Sequence, residues 1–242
     1  MKPLQAVLLD AGGTLIHPDR RFILEVLAAE GISADVAALA AAEAAARDVA
    51  TRAIAEGRAP DDASRGRVLW PALFAALGCS NGQLERILQI VARRSRERGL
   101  WTEPEAGAAD ALRTLRARGL KLGVVSNSDG RVADFLAGAG FAPFLDVIVD
   151  SAVVGIEKPD PAIFHIACDR LGVPPAACLY VGDVYELDVL GARRAGLEAV
   201  LVDPLGRHAA LECPRIASVR ELPGWLAARA AAVTPAGGRK TN

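Results

Sequence analysis

The chain alternates between two hydrophobic patterns. Short, nearly unbroken apolar runs end in a carboxylate or a small polar residue: Ala6 to Asp10, Lys121 to Ser126, Val147 to Asp150, Cys178 to Asp183 and Ala199 to Asp203. Runs of this length are what strands buried on both faces of a parallel sheet present. Between them apolar positions recur at helical spacing, most clearly from Ala108 to Arg118, with Gly119 following as a natural C-terminal cap. Strand and helix in alternation predict a doubly wound α/β domain whose ligands bind at the carboxyl ends of its strands. The acidic strand ends are therefore where chemistry is to be sought.

One long stretch breaks the alternation. From Pro18 to Arg98 the pattern is helical and Ala-rich, interrupted at Gly31, at Gly57 to Pro60 and at Gly78 to Gly82, with no strand-like run. An all-helical insertion after the first strand predicts a separate cap domain over the active face, hinged where the chain crosses. The expected division is 1–17 and 99–233 for the α/β core, 18–98 for the helical cap, and a disordered tail at 234–242.

Composition narrows the choice of partner. A chain of 242 residues, 52% hydrophobic and 24% charged, can bury a sizeable core. Its net charge of -1 offers no field for a nucleic-acid backbone and no polybasic patch for a membrane, which leaves small molecules. Cys79, Cys168, Cys178 and Cys213 are scattered, without a CxxC pair or a nearby histidine, and read as buried free thiols. The initial apolar run is too short for a signal peptide and no span is long enough to cross a bilayer, so a cytoplasmic protein is expected. Monomer and homodimer are both compatible with the pattern.

Four segments gather candidate chemistry. The first strand runs into Asp10-Ala-Gly-Gly-Thr14, where glycines let backbone amides approach an anion and the threonine hydroxyl can bond a phosphate oxygen; the same residues also suit a plain turn capped by Asp10. In the second, Ser126 can donate to a phosphoryl oxygen and Asn127 can position substrate or backbone, while Ser128 or Asp129 can cap a helix. The third places Lys158 just before a proline-initiated helix, where an ammonium can neutralise a phosphorylated carboxylate or simply be solvated. The fourth, Gly182-Asp183 to Asp188, clusters hard oxygen ligands without His or Cys, which suits magnesium. Asp183 is the better ligand there; Glu186 and Asp188 equally suit the first turn of a helix, where acids favour its dipole, so Asp188 takes a supporting or direct metal role and Glu186 is left uncommitted as a ligand.

Taken in order, these segments resemble the four motifs of the haloacid dehalogenase (HAD) superfamily, from about Leu4 to Val202. The resemblance implies a Rossmann-like core with a mobile helical cap. It implies Asp10 as a nucleophile that is transiently phosphorylated, Thr14, Ser126 and Lys158 as catalytic partners, and Gly13 and Asn127 as substrate contacts. It further implies a Mg2+ site built from Asp10, the carbonyl of Gly12, Asp183 and Asp188. The expected protein is a magnesium-dependent phosphatase acting on a small phosphorylated metabolite.

The first motif departs from the family pattern at one position. Family phosphatases usually carry a second aspartate two residues after the nucleophile, which protonates the leaving group; here that residue is Gly12. General acid-base help is worth about 10²–10⁴-fold, so slow turnover, good leaving groups or a substitute acid are implied. Phosphonate hydrolases of the family tolerate a small residue there but need a cap lysine, and 18–98 contains none. Dehalogenases, which attack carbon, lack the metal site that Asp183 and Asp188 resemble, and phosphosugar mutases need the missing aspartate even more. His17 is a candidate proton carrier, although its place beside Pro18 better fits a structural loop residue. Tyr185 and Glu186 are weaker candidates, and His165 and His208 read as structural. A metal- or phosphometabolite-binding protein without turnover is the competing class. In the cap, an arginine among Arg47, Arg52, Arg58, Arg65 and Arg67 could clamp a second anionic group, but each better fits solvated surface, and Trp70 and Phe74 read as core.

Overall fold

A computed structural model of the chain describes residues 3–233, so the expected disordered tail at 234–242 lies outside the described residues. In chain order the elements are β1 (Ala6–Leu9), β2 (Ile16–Pro18), α1 (Arg20–Ala29), α2 (Val36–Ala55), α3 (Asp62–Ala76), α4 (Asn81–Arg98), β3 (Trp101–Pro104), α5 (Ala108–Ala117) and β4 (Lys121–Ser126). There follow α6 (Val132–Gly138), β5 (Val147–Asp150), α7 (Ser151–Val154), α8 (Pro161–Leu171), β6 (Cys178–Gly182), α9 (Leu190–Arg194), β7 (Glu198–Val202), β8 (Arg215–Ile216) and α10 (Leu222–Val233).

Six strands form one parallel sheet in the order β5-β4-β1-β6-β7-β8. The unbroken apolar runs arise because successive side chains enter opposite cores. Val7, Leu9, Val124, Leu179 and Val181 pack toward α5, α6 and α10. Ala6, Leu8, Val125 and Tyr180 pack on the other face against α8 and α9. This is the α/β, Rossmann-like architecture expected from the alternation.

Helices α1 to α4 fill the stretch between β2 and β3 and gather a core of their own around Ile23, Leu27, Leu39, Leu73, Phe74 and Ile87. Asp19, Asp35 and Asp61 accept from the backbone amides of Phe22, Ala38 and Ser64, which satisfies otherwise orphaned donors at the starts of α1, α2 and α3. The pairing of β2 with β3, antiparallel and joining the two crossings of the chain, was not expected. Cys168 and Cys178 are buried free thiols as expected, with the Cys168 thiol donating to the Cys178 sulfur at 3.5 Å, whereas Cys79 and Cys213 are only half-buried. Both of the latter lie at the edges of packed clusters, where a small side chain is partly covered. Among the described residues no helix is long and apolar enough to cross a membrane.

Candidate active site

The centre of the sheet brings three of the four segments together. Leu9 pairs with Val124 on one side and Val181 on the other, so the chain positions just beyond these strands emerge side by side. Asp10 and Asp183 are those positions, and Ser126 is the last residue of β4. The order β4-β1-β6 also makes this the switch point of the sheet, where a crevice opens between diverging connections. A cavity of about 370 Å³ lies there, lined by Asp10, Gly12, Ser126, Asn127, Lys158, Asp183 and Asp188.

After β1 the chain turns within one tight loop. The Ala11 carbonyl accepts from the amides of Leu15 and Ile16 at 2.8 and 2.9 Å. Gly13 has φ +75°, and its amide donates to the Ile16 carbonyl at 2.8 Å. That amide is therefore not available to an anion, contrary to the expectation for Gly13. Its service is spatial, since a Cβ there would sit 2.2 Å from Asp183 Oδ2. Gly182 does the same for Asp188, whose Cγ would lie 2.4 Å from an added Cβ. Thr14 is buried with its hydroxyl unpartnered, and neither Thr14 nor Gly13 is among the residues lining the cavity.

Lys158 joins the carboxylates. Its Nζ donates to Asp10 Oδ1 and Asp188 Oδ1, both at 2.7 Å, and to the Tyr180 hydroxyl at 3.0 Å. Tyr180 in turn donates to the Val125 carbonyl at 2.8 Å. Asn127 clamps the backbone of the same loop: its Oδ1 accepts from the Lys158 amide at 2.7 Å and its Nδ2 donates to the Lys158 carbonyl at 2.9 Å. Of the two tasks open to Asn127, positioning the backbone is thus the one seen here. Ser126 makes only a long contact, 3.5 Å, with the Asn127 carbonyl and keeps its hydroxyl at the cavity wall. Neither Ser128 nor Asp129 caps α6. Asp150 accepts from the Gly130 and Val132 amides instead.

Charge in this crevice is unbalanced. Asp10, Asp183 and Asp188 are buried, and each offers an oxygen within 4.8 Å of the others. The cations facing them are Lys158 and Arg47, whose Nε lies 2.9 Å from Asp183 Oδ2. Burial, opposed by Lys158 and reinforced by Asp188 and Asp183, pushes the Asp10 carboxyl up to about 7. Burial also raises Asp183 above the usual carboxylate range, with Arg47 opposing and Asp188 adding to it. For Lys158 burial works against the charge, but Asp10 and Asp188 outweigh it and hold the ammonium above its ordinary range.

A carboxylate raised by folding makes stability depend on pH with a definite sign. From about pH 4, the unfolded value, up to about 7, the folded protein keeps a proton on Asp10 that the unfolded chain has released. Stability from this group is therefore highest at low pH and declines as pH rises through that window. In the presence of a chelator, the wild type is expected to lose stability relative to Asp10→Asn as pH rises from about 4 to 7. Thermal unfolding of both proteins over that range checks this, and parallel profiles would count against it.

Several residues assigned to surface or core also belong to the site. Arg47 pairs with Asp183, and Arg65 reaches Glu157 at 2.7 Å, so they tie the helical layer to the end of β6 and to the loop that carries Lys158. Trp70, Trp101 and Phe135 line the cavity. Tyr180 was read only as part of a strand. His17 bonds Glu105 through Nε2 at 2.7 Å, and Ser218 donates to the same carboxylate at 2.6 Å. Its neighbours Ile16 and Pro18 line the cavity and His17 does not, in keeping with strand alternation. His165 bonds the Ala195 carbonyl and is structural, as expected.

Residues 4–196 match the family model described as haloacid dehalogenase-like hydrolase. A haloacid dehalogenase-like hydrolase domain-containing protein 3 from Bos taurus is 46% identical over 96 residues, which is 40% of this chain and 38% of that protein. A phosphoserine phosphatase from Thermus thermophilus is 39% identical over 143 residues, 57% of this chain and 54% of that protein. The matched segments thus span about half or less of these curated relatives. Among solved structures, the putative HAD-hydrolase YfnB from Bacillus subtilis, bound to magnesium, superimposes with a TM-score of 0.65 at 19% identity over 93% of this chain and 99% of that one. A dehalogenase structure superimposes with a TM-score of 0.60 at 25% identity, covering 94% and 99%.

Proposed function

The chain belongs to the haloacid dehalogenase-like hydrolases, and on that premise we propose that it is a magnesium-dependent phosphatase that acts on a small phosphorylated metabolite through an aspartyl-phosphate on Asp10. The observation that carries this reading is the buried cluster of Asp10, Asp183 and Asp188 around the Lys158 ammonium. An attack on carbon needs one carboxylate and no set of three. A phosphoryl group, with its own negative charge, needs the extra cation that three carboxylates attract. The phosphatase names among the relatives support the same choice.

The residues fit a divalent ion. All the side-chain donors are hard oxygens, they lie within reach of one centre, and Asp10 is driven toward protonation in the absence of a further cation. Asp10, Asp183 and Asp188, with the Gly12 carbonyl, would hold it. Bound magnesium would polarise the phosphoryl oxygens and offset their charge. Asp10 Oδ1 is held by Lys158, and Oδ2 receives no hydrogen bond from any described residue, which leaves Oδ2 to attack phosphorus. Lys158 favours the ionised nucleophile against the effect of burial and opposes the charge that gathers as the bond forms. Asn127 positions the Lys158 loop, and the Ser126 hydroxyl at the wall receives a phosphoryl oxygen. The layer formed by α1 to α4 acts as the cap. Arg47 and Arg65 close it onto Asp183 and Glu157, excluding bulk water while the ester bond breaks.

The test is hydrolysis of p-nitrophenyl phosphate by the intact protein, with magnesium and with chelator. Turnover that appears with magnesium and disappears with chelator is the expected result. Inactivity in a protein shown by calorimetry to bind magnesium would move the reading to a binding protein or to carbon-centred chemistry.

A further inference from the structure

The wall of the cavity facing Gly12 has a character that phosphoryl transfer alone does not require. A Cβ at Gly12 would lie 3.3 Å from Trp101 Cζ3 and 3.4 Å from Cε3. The indole therefore covers the position from which a side chain two residues beyond Asp10 would project. Trp101 meets Trp70 at 6.2 Å between ring centroids, and Trp70 stacks on Phe74 at 6.4 Å. Trp70 and Trp101 both line the cavity, together with Leu69, Leu100 and Phe135. Its cations are all engaged: Arg47 with Asp183, Arg65 with Glu157, Arg131 with Asp129 and Lys158 with Asp10 and Asp188. Among the described lining residues no cation is left for a second anionic group on the substrate. The cavity volume of about 370 Å³ suits a ligand of one or two rings.

We propose that Trp101 is a specificity-determining residue that receives the leaving group, and that the substrate is a phosphate monoester of a flat, otherwise uncharged aromatic alcohol. This rests on the phosphatase reading above. The Asp10 oxygen forms a bond to phosphorus while the ester P–O bond breaks. The electron pair of that bond leaves with the aryl oxygen, which departs as the aryloxide and takes a proton from water. Water then cleaves the aspartyl-phosphate to inorganic phosphate and restores the carboxylate. Gly12 supplies no proton, so only an oxygen that is stable as an anion leaves readily, and a phenol meets that need where an alkyl alcohol does not. The ring that makes the oxygen a good leaving group is also what the indole stacks against.

The experiment uses the full chain with magnesium and three kinds of substrate. Acetyl phosphate, which has a good leaving group and no ring, reports on the phosphatase reading alone. Substituted phenyl phosphates are expected to show kcat/KM falling steeply as the phenol becomes less acidic, and to exceed alkyl phosphates and phosphoserine by about 10²-fold or more. Trp101→Ala is expected to raise KM for phenyl phosphate about tenfold more than it raises KM for acetyl phosphate, with Trp101→Phe retaining the preference. Without turnover, phenylphosphonate should quench tryptophan emission at concentrations where methylphosphonate does not. Joining Gly12→Asp to Trp101→Ala should flatten the leaving-group dependence and raise alkyl phosphate hydrolysis by about 10²-fold. Turnover of acetyl phosphate with no preference for phenyl over alkyl esters overturns the proposal and leaves the phosphatase reading intact. Failure on acetyl phosphate and every ester overturns both. Asp62, at the start of α3, also lines the cavity, and a leaving-group dependence that is shallow in the wild type and steepens in Asp62→Asn would place the proton donor there and also overturn it.

Discussion

Asp10→Asn is expected to lower turnover of p-nitrophenyl phosphate by on the order of 10⁴-fold or more, the scale on which loss of a covalent nucleophile acts. An amide of the same shape fits the same space between Lys158 and the strand end, so the fold should persist and the loss should fall on kcat. It removes the attacking oxygen, one negative charge of the acidic cluster and the ion pair with Lys158 together. Acid-quenched wild type incubated with labelled substrate should carry the label on protein, and the variant should not. Asp10→Glu separates these roles. It keeps the charge but moves the oxygen by a methylene, and because misplacement of about 1 Å can cost 10²-fold, activity should stay low while magnesium binding partly returns. Near wild-type activity in Asp10→Asn would mean that water attacks phosphorus directly, and the aspartyl-phosphate would have to be abandoned.

Much of this arrangement was legible because burial on both faces of a sheet leaves a plain mark. Ala6 to Leu9 and Cys178 to Gly182 are wholly buried, and their unbroken apolar runs betray them. The breaks between α1, α2, α3 and α4 were legible for a similar reason, since Gly31, Gly57 and Gly78 all adopt positive φ just beyond a helix end. β2 and β3 left no such mark. They are three and four residues long and hold Pro18 and Pro104, and their pairing depends on where four intervening helices return the chain. Asp188 was read as a possible first-turn residue of a helix, yet the segment opens with a π-turn over Tyr185–Val189 that brings its carboxylate back to Lys158.

The site was legible only along single segments. Asp10, Lys158 and Asp183 stand at strand ends or loop tips, where their chemistry shows in sequence. Arg47 was not legible, because its partner Asp183 belongs to a distant strand. A signal did exist. Glu43, Arg47, Thr51 and Ile54 follow one another at helical spacing along an alanine-rich helix, and all four line the cavity. Larger side chains at helical spacing, three of them polar, on a helix rich in alanine point to a face that meets something other than solvent. Trp101 was missed for a different reason: its meaning lies in the space left by Gly12, and a vacancy in one segment filled from another is visible only in three dimensions.

Lys158→Met is expected to be the most destabilising change in the site, and its cost should depend on magnesium. The side chain is 3% exposed, and the substitution leaves its volume nearly unchanged, so packing is retained. What disappears is the cation between Asp10 and Asp188, with Arg47 remaining only at Asp183. Removing one member of a buried ion pair costs about 3–5 kcal/mol, because the charges left behind have neither water nor partner. Urea unfolding in chelator should show that loss, and saturating magnesium should return part of it by supplying positive charge to the same carboxylates. Activity should not return with stability. A cation aimed at the charge that develops in the transition state is worth about 10²–10³-fold, so kcat should stay depressed by that amount in folded, magnesium-loaded Lys158→Met. Lys158→Arg tests whether charge alone suffices. The planar guanidinium cannot place one nitrogen between Asp10, Asp188 and Tyr180 as the ammonium does, so it should recover stability better than it recovers rate. Full activity in Lys158→Arg would assign Lys158 to holding the carboxylates together and leave the transition state to the other groups of the site.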